Sequence, residues 1–385
     1  MSTITTHSYT KRLSVILALL GLLAAAMYFI EGPAEMNDFE VYHRAGDRFR
    51  HGQDLYLETD GHFEFKYLPI AAAFFVPISL LPLAIAKPVW LILLVAAIGV
   101  SFERLWRAFP GVHVGGAAIL GLVLARCFER EFANGQINGI LLLLVVVGFE
   151  RVVRGDDRLA GLLLSLAGLF KPHFFAFIPY LFLMRRYKAA SAGLIVLSAG
   201  LLAPTLRYGS ERLILLHRTM SVRLADSTPR LLPDTANASL PGLLAKLLHV
   251  TPPLATLGGL LLVGFALYAP LRRLRADRAI DVERPWDDLA VLMPALLLIS
   301  PQAWDFTAFM AAASLFLFVA MRASLPKALL VLGVSASVVL AVDMKLLLGS
   351  GPVFLKVMHF SPNAWVLLAF LAIAIYLRLS PRKTP

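Results

Sequence analysis

The sequence predicts an all-α, polytopic membrane protein, and three observations carry that prediction. First, 58% of the 385 residues are hydrophobic and only 16% are charged, against roughly 45–50% and about 25% in a soluble domain. Second, the apolar residues recur from Arg12 to Arg378 in stretches near the roughly 20 residues that a hydrocarbon core requires of a helix. Third, the basic residues behind the formal net charge of +11 fall in short clusters between those stretches. The positive-inside rule produces that distribution, so the charge does not point to nucleic acid. No sizeable soluble domain can be cut out, and residues 1–385 read as a single membrane domain.

About twelve spanning or re-entrant helices are expected, over 12–30, 84–103, 112–128, 137–153, 159–170, 173–184, 189–206, 254–272, 286–300, 304–321, 326–345 and 361–378. The first follows the basic pair Lys11–Arg12 and is too long, with no small-residue cleavage site after it, for a signal peptide. Segments 159–170 and 173–184 are too short to cross at 1.5 Å per residue. They read as a broken or re-entrant pair meeting at Lys171–Pro172, because proline removes an amide donor and discourages helix before it. Cys127, the sole cysteine, reads as a small core residue.

Residues 67–83, with prolines at 69, 77 and 82, decide the parity. If this stretch stays at one surface and both termini are cytoplasmic, six basic loops face the cytoplasm. They carry Arg104/Arg107, Arg151/Arg154/Arg158, Arg185/Arg186/Lys188, Arg272/Arg273/Arg275/Arg278/Arg284, Arg322/Lys327 and Arg378/Arg382/Lys383. If it crosses, all six turn outward, against the rule. The stretch is therefore expected as a juxtamembrane or re-entrant element, and two outer loops follow, about 31–83 and 207–253. Between Glu31 and Lys66 the first loop carries nine acidic residues (Glu31, Glu35, Asp38, Glu40, Asp47, Asp54, Glu58, Asp60 and Glu64) against four basic ones.

In that loop Asp38 and Tyr42 share a helix face at i, i+4 spacing. A carboxylate just past the first helix sits where a general base for a lipid-linked substrate would be useful; otherwise these acids only keep the loop in water. Lys171, at a helix break near the outer surface, is either a phosphate contact or a snorkelling or ion-paired lysine. His173 could meet the same ligand or be a satisfied buried histidine. Gln136 and Asn138 open a helix, either to read sugar hydroxyls or to cap it. Arg126 has Glu129 or Glu131 as local partners, with phosphate as the alternative. Arg218, Arg223 and Arg230 are candidates for steering a phosphate head group, or are solvated charges.

Several stretches, taken in order, resemble glycosyltransferase family 87. They are Asp38-Phe39-Glu40-Val41-Tyr42, Gly52-Gln53-Asp54-Leu55-Tyr56, Phe65-Lys66-Tyr67-Leu68-Pro69, Asn134-Gly135-Gln136-Ile137-Asn138, Gly168-Leu169-Phe170-Lys171-Pro172 and Ser300-Pro301-Gln302-Ala303-Trp304-Asp305, with Asn237-Ala238-Ser239-Leu240 a looser match. That resemblance implies a GT-C fold like that of polyprenol-phosphate-mannose-dependent α-1,2-mannosyltransferases. It implies inverting transfer of a hexose, mannose first, from a polyprenyl-phosphate donor to a lipid or glycan acceptor. The expected location is the outer face of a bacterial cytoplasmic membrane. The family's essential first-loop aspartate maps onto Asp38, as base toward the acceptor hydroxyl. Tyr42, Gln136, Asn138, Lys171, His173, Asn237, Trp304 and Asp305 are the expected substrate contacts. Relatives often carry histidine soon after that tryptophan; here Asp305-Phe306-Thr307 follows, and no histidine role carries over.

No cofactor is expected. The outward histidines (His43, His51, His62, His217, His249 and His359) form no metal-binding spacing, a divalent ion on the first-loop acids has no support, and Gly115-Gly116 is no phosphate loop. The competing reading is a lipid or solute transporter or flippase, in which broken helices and intramembrane cations also occur.

Overall fold

A computed structural model describes residues 3–30, 36–276 and 284–380. Glu31, Glu35, Arg278, Arg382 and Lys383 lie outside the described residues, as do the side chains of Lys11 and Arg275. Every named element is a helix, and among the described residues β-pairing is confined to one isolated antiparallel bridge, Asn237 to Trp304. The chain is an all-α, multi-pass membrane protein. It divides into two compact units. Unit 1 comprises Met1–Arg104, Glu129–Phe182 and Arg186–Asp226; unit 2 comprises Leu105–Phe128, Leu183–Arg185 and Ser227–Pro385.

Unit 1 starts with α1 (Thr3–Ile30) and the amphipathic α2 (Asn37–His51). Helix α2 buries Phe39, Tyr42, Ala45 and Gly46 along one side, the spacing that puts residues on one helical face. Asp38 and Glu40 stand in its first turn and Arg48, Arg50 and His51 in its last, matching the sign of the helix dipole at each end. Its buried face rests on α3 (Pro69–Phe74) and α4 (Val76–Ser79). The approach is close: a Cβ on Gly46 would lie 2.6 Å from the carbonyl carbon of Phe75. Helices of six and four residues cannot cross a bilayer.

Next come α5 (Leu83–Ala108), α6 (Val114–Asn134), α7 (Asn138–Arg154) and α8 (Asp157–Phe170). Helix α8 packs against both α7 and α10 (Tyr187–Leu202). Between α8 and α9 (Phe177–Leu183) the chain breaks at the expected dipeptide: Lys171 is extended, and Pro172–Ala176 forms a 3₁₀ turn. Helices α11 (Thr205–Tyr208) and α12 (Ser210–Leu231) follow.

Unit 2 carries α13 (Leu240–Leu248), α14 (Pro252–Ala276), α15 (Arg284–Ile299), α16 (Ala312–Met321), α17 (Lys327–Ala341), α18 (Met344–Leu348), α19 (Pro352–His359) and α20 (Pro362–Leu379). Helix α15 is buried from Pro285 to Leu298 except Trp286, and packs against α16 and α20. The buried pair Arg378–Asp288, 2.6 Å apart, joins α20 to α15. Helices α13, α14 and α20 line an apolar groove of about 390 Å³.

Five helical stretches among the described residues are long and apolar enough to cross a membrane: Leu83–Ala108, Tyr187–Tyr208, Pro252–Arg273, Asp305–Ser324 and Pro352–Leu379. The pair α6 and α7, bent by 119°, makes a sixth if it is one span. Several boundaries differ from the sequence expectation: α1 opens at Thr3 rather than 12, α5 runs to Ala108 rather than 103, and α17 ends at Ala341 rather than 345. Helix α6 runs to Asn134 rather than ending at Phe128, and Glu131 in the added stretch is buried and accepts hydrogen bonds from Asn138 and Gly139 at the start of α7. The stretch 304–321 opens as a 3₁₀ helix, Asp305–Ala311, before α16.

Candidate functional site

The α6–α7 turn pivots on Gly135, whose φ of +63° is a left-handed conformation that glycine adopts without penalty. A Cβ there would meet Phe39 Cβ at 2.7 Å. The Trp90 indole donates to the Gly135 carbonyl at 2.8 Å, and Phe39 stacks on Trp90 with ring centroids 5.2 Å apart. The turn is thereby fixed against the start of α2, and Gln136 comes beside Asp38.

Two hydrogen-bonded chains meet there, both within unit 1. In the first, Gln136 Nε2 donates to Asp38 Oδ2 at 2.5 Å, and Tyr42 donates to Gln136 Oε1 at 3.1 Å. These two bonds fix which way the amide faces. Tyr42 and Tyr67 hydroxyls lie 2.9 Å apart. The Tyr42 proton is committed to Gln136, so Tyr67 is the donor in that contact. In the second, Lys171 Nζ donates to Asn138 Oδ1 at 2.6 Å, and Asn138 Nδ2 to Glu131 Oε2 at 2.8 Å. The Gly139 amide donates to Glu131 Oε1 at 2.9 Å.

Electrostatics separates the roles. Burial pushes the Asp38 carboxyl above its ordinary value, opposed by the Gln136 hydrogen bond and then by Lys171, Lys66 and His62. Part of its surface stays open, and Oδ1 carries no hydrogen bond among the described residues. A carboxylate with raised basicity and one free oxygen can take a proton. Burial raises Tyr42 and Tyr67 as well, so both phenols stay neutral and act as hydrogen-bonding groups. Lys66 is lowered, chiefly by burial.

Of the residues expected from sequence, Asp38, Tyr42, Gln136, Asn138 and Lys171 converge here. His173 follows Lys171 by two positions, and its buried Nε2 has no hydrogen-bond partner among the described residues. Asn237, Trp304 and Asp305 lie in unit 2, gathered around the isolated bridge. There Ala238 N donates to Ala303 O at 2.6 Å and Asp305 N to Ala236 O at 2.9 Å. The Asn237 side chain is spent on backbone: Nδ2 donates to Leu231 and Pro301 carbonyls, and Oδ1 accepts from Ser239 N. Trp304 is partly exposed, whereas Asp305 is buried against Arg126 at 2.5 Å.

Arg126 thus departs from its expected local partners Glu129 and Glu131, taking Asp305 and, at 3.8 Å, Asp343. Those partners come from distant sequence, and Glu131 is turned to Asn138 instead. Arg223 faces Glu58 at 3.4 Å, while Arg218 and Arg230 are exposed. Among the described residues no three His, Cys, Asp or Glu side chains are grouped to hold a metal. Two members of the cluster carried little sequence signal. Glu131 sits amid Glu129 and Arg130 and looks solvated, and Tyr67 is one of several first-loop aromatics; only its place in the Phe65-to-Pro69 stretch marked it.

A family model described as Glycosyltransferase family 87 matches residues 65–301, more than half of the chain. The match contains Gln136, Asn138, Lys171, His173 and Asn237; Asp38 and Tyr42 precede it, and Trp304 and Asp305 follow it. No curated protein matches the chain.

Proposed function

The chain belongs to glycosyltransferase family 87, and from that premise we propose that it transfers a hexose, mannose first, from a polyprenyl-phosphate donor. The acceptor is the hydroxyl of a lipid or glycan, and the site faces outward from the cytoplasmic membrane of a bacterium, with both termini inside and residues 1–385 acting as one membrane domain. The observation that carries the reading is the convergence of Asp38 and Lys171. A carboxylate with one free oxygen and an ammonium held by Asn138 influence each other electrostatically without forming an ion pair.

In this reading the acceptor and the sugar phosphate lie between those two charges. Asp38 takes the proton as the acceptor oxygen attacks the anomeric carbon. The bond from that carbon to the phosphate oxygen breaks, and its electron pair leaves with the phosphate monoester. Lys171 meets the charge that develops there, and the unpartnered nitrogen of His173 supports it. One displacement inverts the anomeric centre. Gln136 and Tyr42 hold Asp38 in place.

Purified protein in liposomes, given radiolabelled polyprenyl-phosphate mannose and membrane lipid acceptors, tests this directly. Label should move onto an acceptor with inverted anomeric configuration. Label that only crosses the bilayer would make the protein a transporter and end the reading.

A further inference from the structure

We propose that Glu131 is the positioning residue of this site, aiming the Lys171 ammonium through Asn138; the inference rests on the transfer reading for what Lys171 faces. Glu131 has no exposed surface. An ion at such depth is costly unless its oxygens are engaged, and both are. Oε1 takes the Gly139 amide at 2.9 Å, in the first turn of α7, where negative charge is favoured. Oε2 takes Asn138 Nδ2 at 2.8 Å.

The second bond has a consequence that capping alone does not require. An amide that gives its NH₂ to Glu131 must turn its oxygen the other way, and that oxygen receives Lys171 Nζ at 2.6 Å. The relay therefore has one polarity: ammonium to amide oxygen, amide nitrogen to carboxylate. One Lys171 proton is spent on Asn138, and the other two remain for a ligand. The backbone at Lys171 is extended, and among the described residues the bond to Asn138 is the hydrogen bond that its ammonium makes, so the relay is what aims it.

The test is an isosteric swap. In E131Q the new amide keeps the Gly139 cap through its oxygen but presents NH₂ to Asn138. Asn138 must then flip and face the ammonium with its own NH₂. In E131Q/N138D the carboxylate moves to position 138, where one oxygen accepts from the amide introduced at position 131 and the other from Lys171. The relay is thereby restored with total charge unchanged. With polyprenyl-phosphate mannose as donor, E131Q should lose about 100-fold in kcat, the scale of a misplaced catalytic group. The donor KM should hold, as expected for contacts made only in the transition state. The double variant should recover at least about tenfold, the signature of a coupled pair.

Acetylation of Lys171 by an amine-reactive ester, read by peptide mass spectrometry at fixed pH, follows the relay without turnover. It should quicken by about tenfold in E131Q, one hydrogen bond's worth of restraint, and slow again in the double variant. Wild-type-like turnover and labelling in E131Q, or a double variant no better than E131Q, would overturn the proposal. If E131Q does not elute as a monodisperse particle, N138L decides: it keeps the Glu131–Gly139 bond, cuts the relay, and must show the same losses. Should wild-type protein move no sugar, the transfer reading falls, and labelling alone judges the relay.

Discussion

The hydrogen bond from Gln136 to Asp38 makes a quantitative claim about pH. Burial raises the Asp38 carboxyl, and the Gln136 amide is the largest opposing influence. A hydrogen bond to an ionised group is worth roughly 1.5–3 kcal/mol. Because part of Asp38 is open and water can replace some of the contact, the lower figure applies, and about 1.4 kcal/mol moves a titration by one pH unit. In Gln136→Leu burial acts with less opposition, so the base is protonated at higher pH. The acid limb of kcat/KM, which follows ionisation of the free enzyme, should move up by about one pH unit. The assay is initial-rate transfer of radiolabelled mannose in detergent across the acid range, with wild type and variant titrated together. An unmoved limb, or one displaced toward lower pH, would refute the assignment of Asp38 as base.

Three other outcomes follow from the same geometry. Asp38→Asn should lower turnover by about 10²–10⁴-fold, the range of a lost general base. It should not lower the thermal midpoint at pH 7: with its folded value raised, Asp38 contributes stability only when protonated, and that contribution is lost as pH rises through the folded value. In unit 2, Arg126→Leu leaves Asp305 buried without its closest cation, which should destabilise by about 3 kcal/mol, while Arg126→Leu/Asp305→Leu regains most of it, measured by thermal unfolding. Gly135→Ala forces a left-handed alanine costing about 1–2 kcal/mol and sets its Cβ 2.7 Å from Phe39 Cβ; a lowered midpoint together with lost turnover is expected.

Sequence reached the site where chemistry and chain geometry coincide. Lys171 was legible because proline after it stops a helix, and a lysine in so apolar a stretch needs a reason to be there. Asp38 and Tyr42 were legible because their i, i+4 spacing puts them on one face, and both meet Gln136. Glu131 was not: directly after Glu129 and Arg130 it looks like one charge among several, and the helix continuing to Asn134 turns it inward. Arg126 and Asp305 are 179 residues apart, a separation at which no local pattern speaks. Asn237 shows a further partnership that sequence does not display, since its amide is taken up by three backbone groups.

The break at Gly135 also explains why polar groups gather where they do. In an apolar surrounding every freed backbone group must find a partner, and a sharp turn between two apolar helices frees several. Gln136 N returns to the Glu131 carbonyl, Gly139 N goes to the Glu131 carboxylate, and the Gly135 carbonyl takes the Trp90 indole. The groups that repair the turn therefore bring with them the polar side chains that reach Asp38 on one side and Lys171 on the other. A straight helix through 114–154 would satisfy its own backbone and have no use for a buried glutamate. It would also lose the close approach of Gln136 to α2. Bending the chain at this point creates the hydrogen-bonding demand, and meeting that demand ties Gln136 to the Asp38 carboxylate and Asn138 to the Lys171 ammonium.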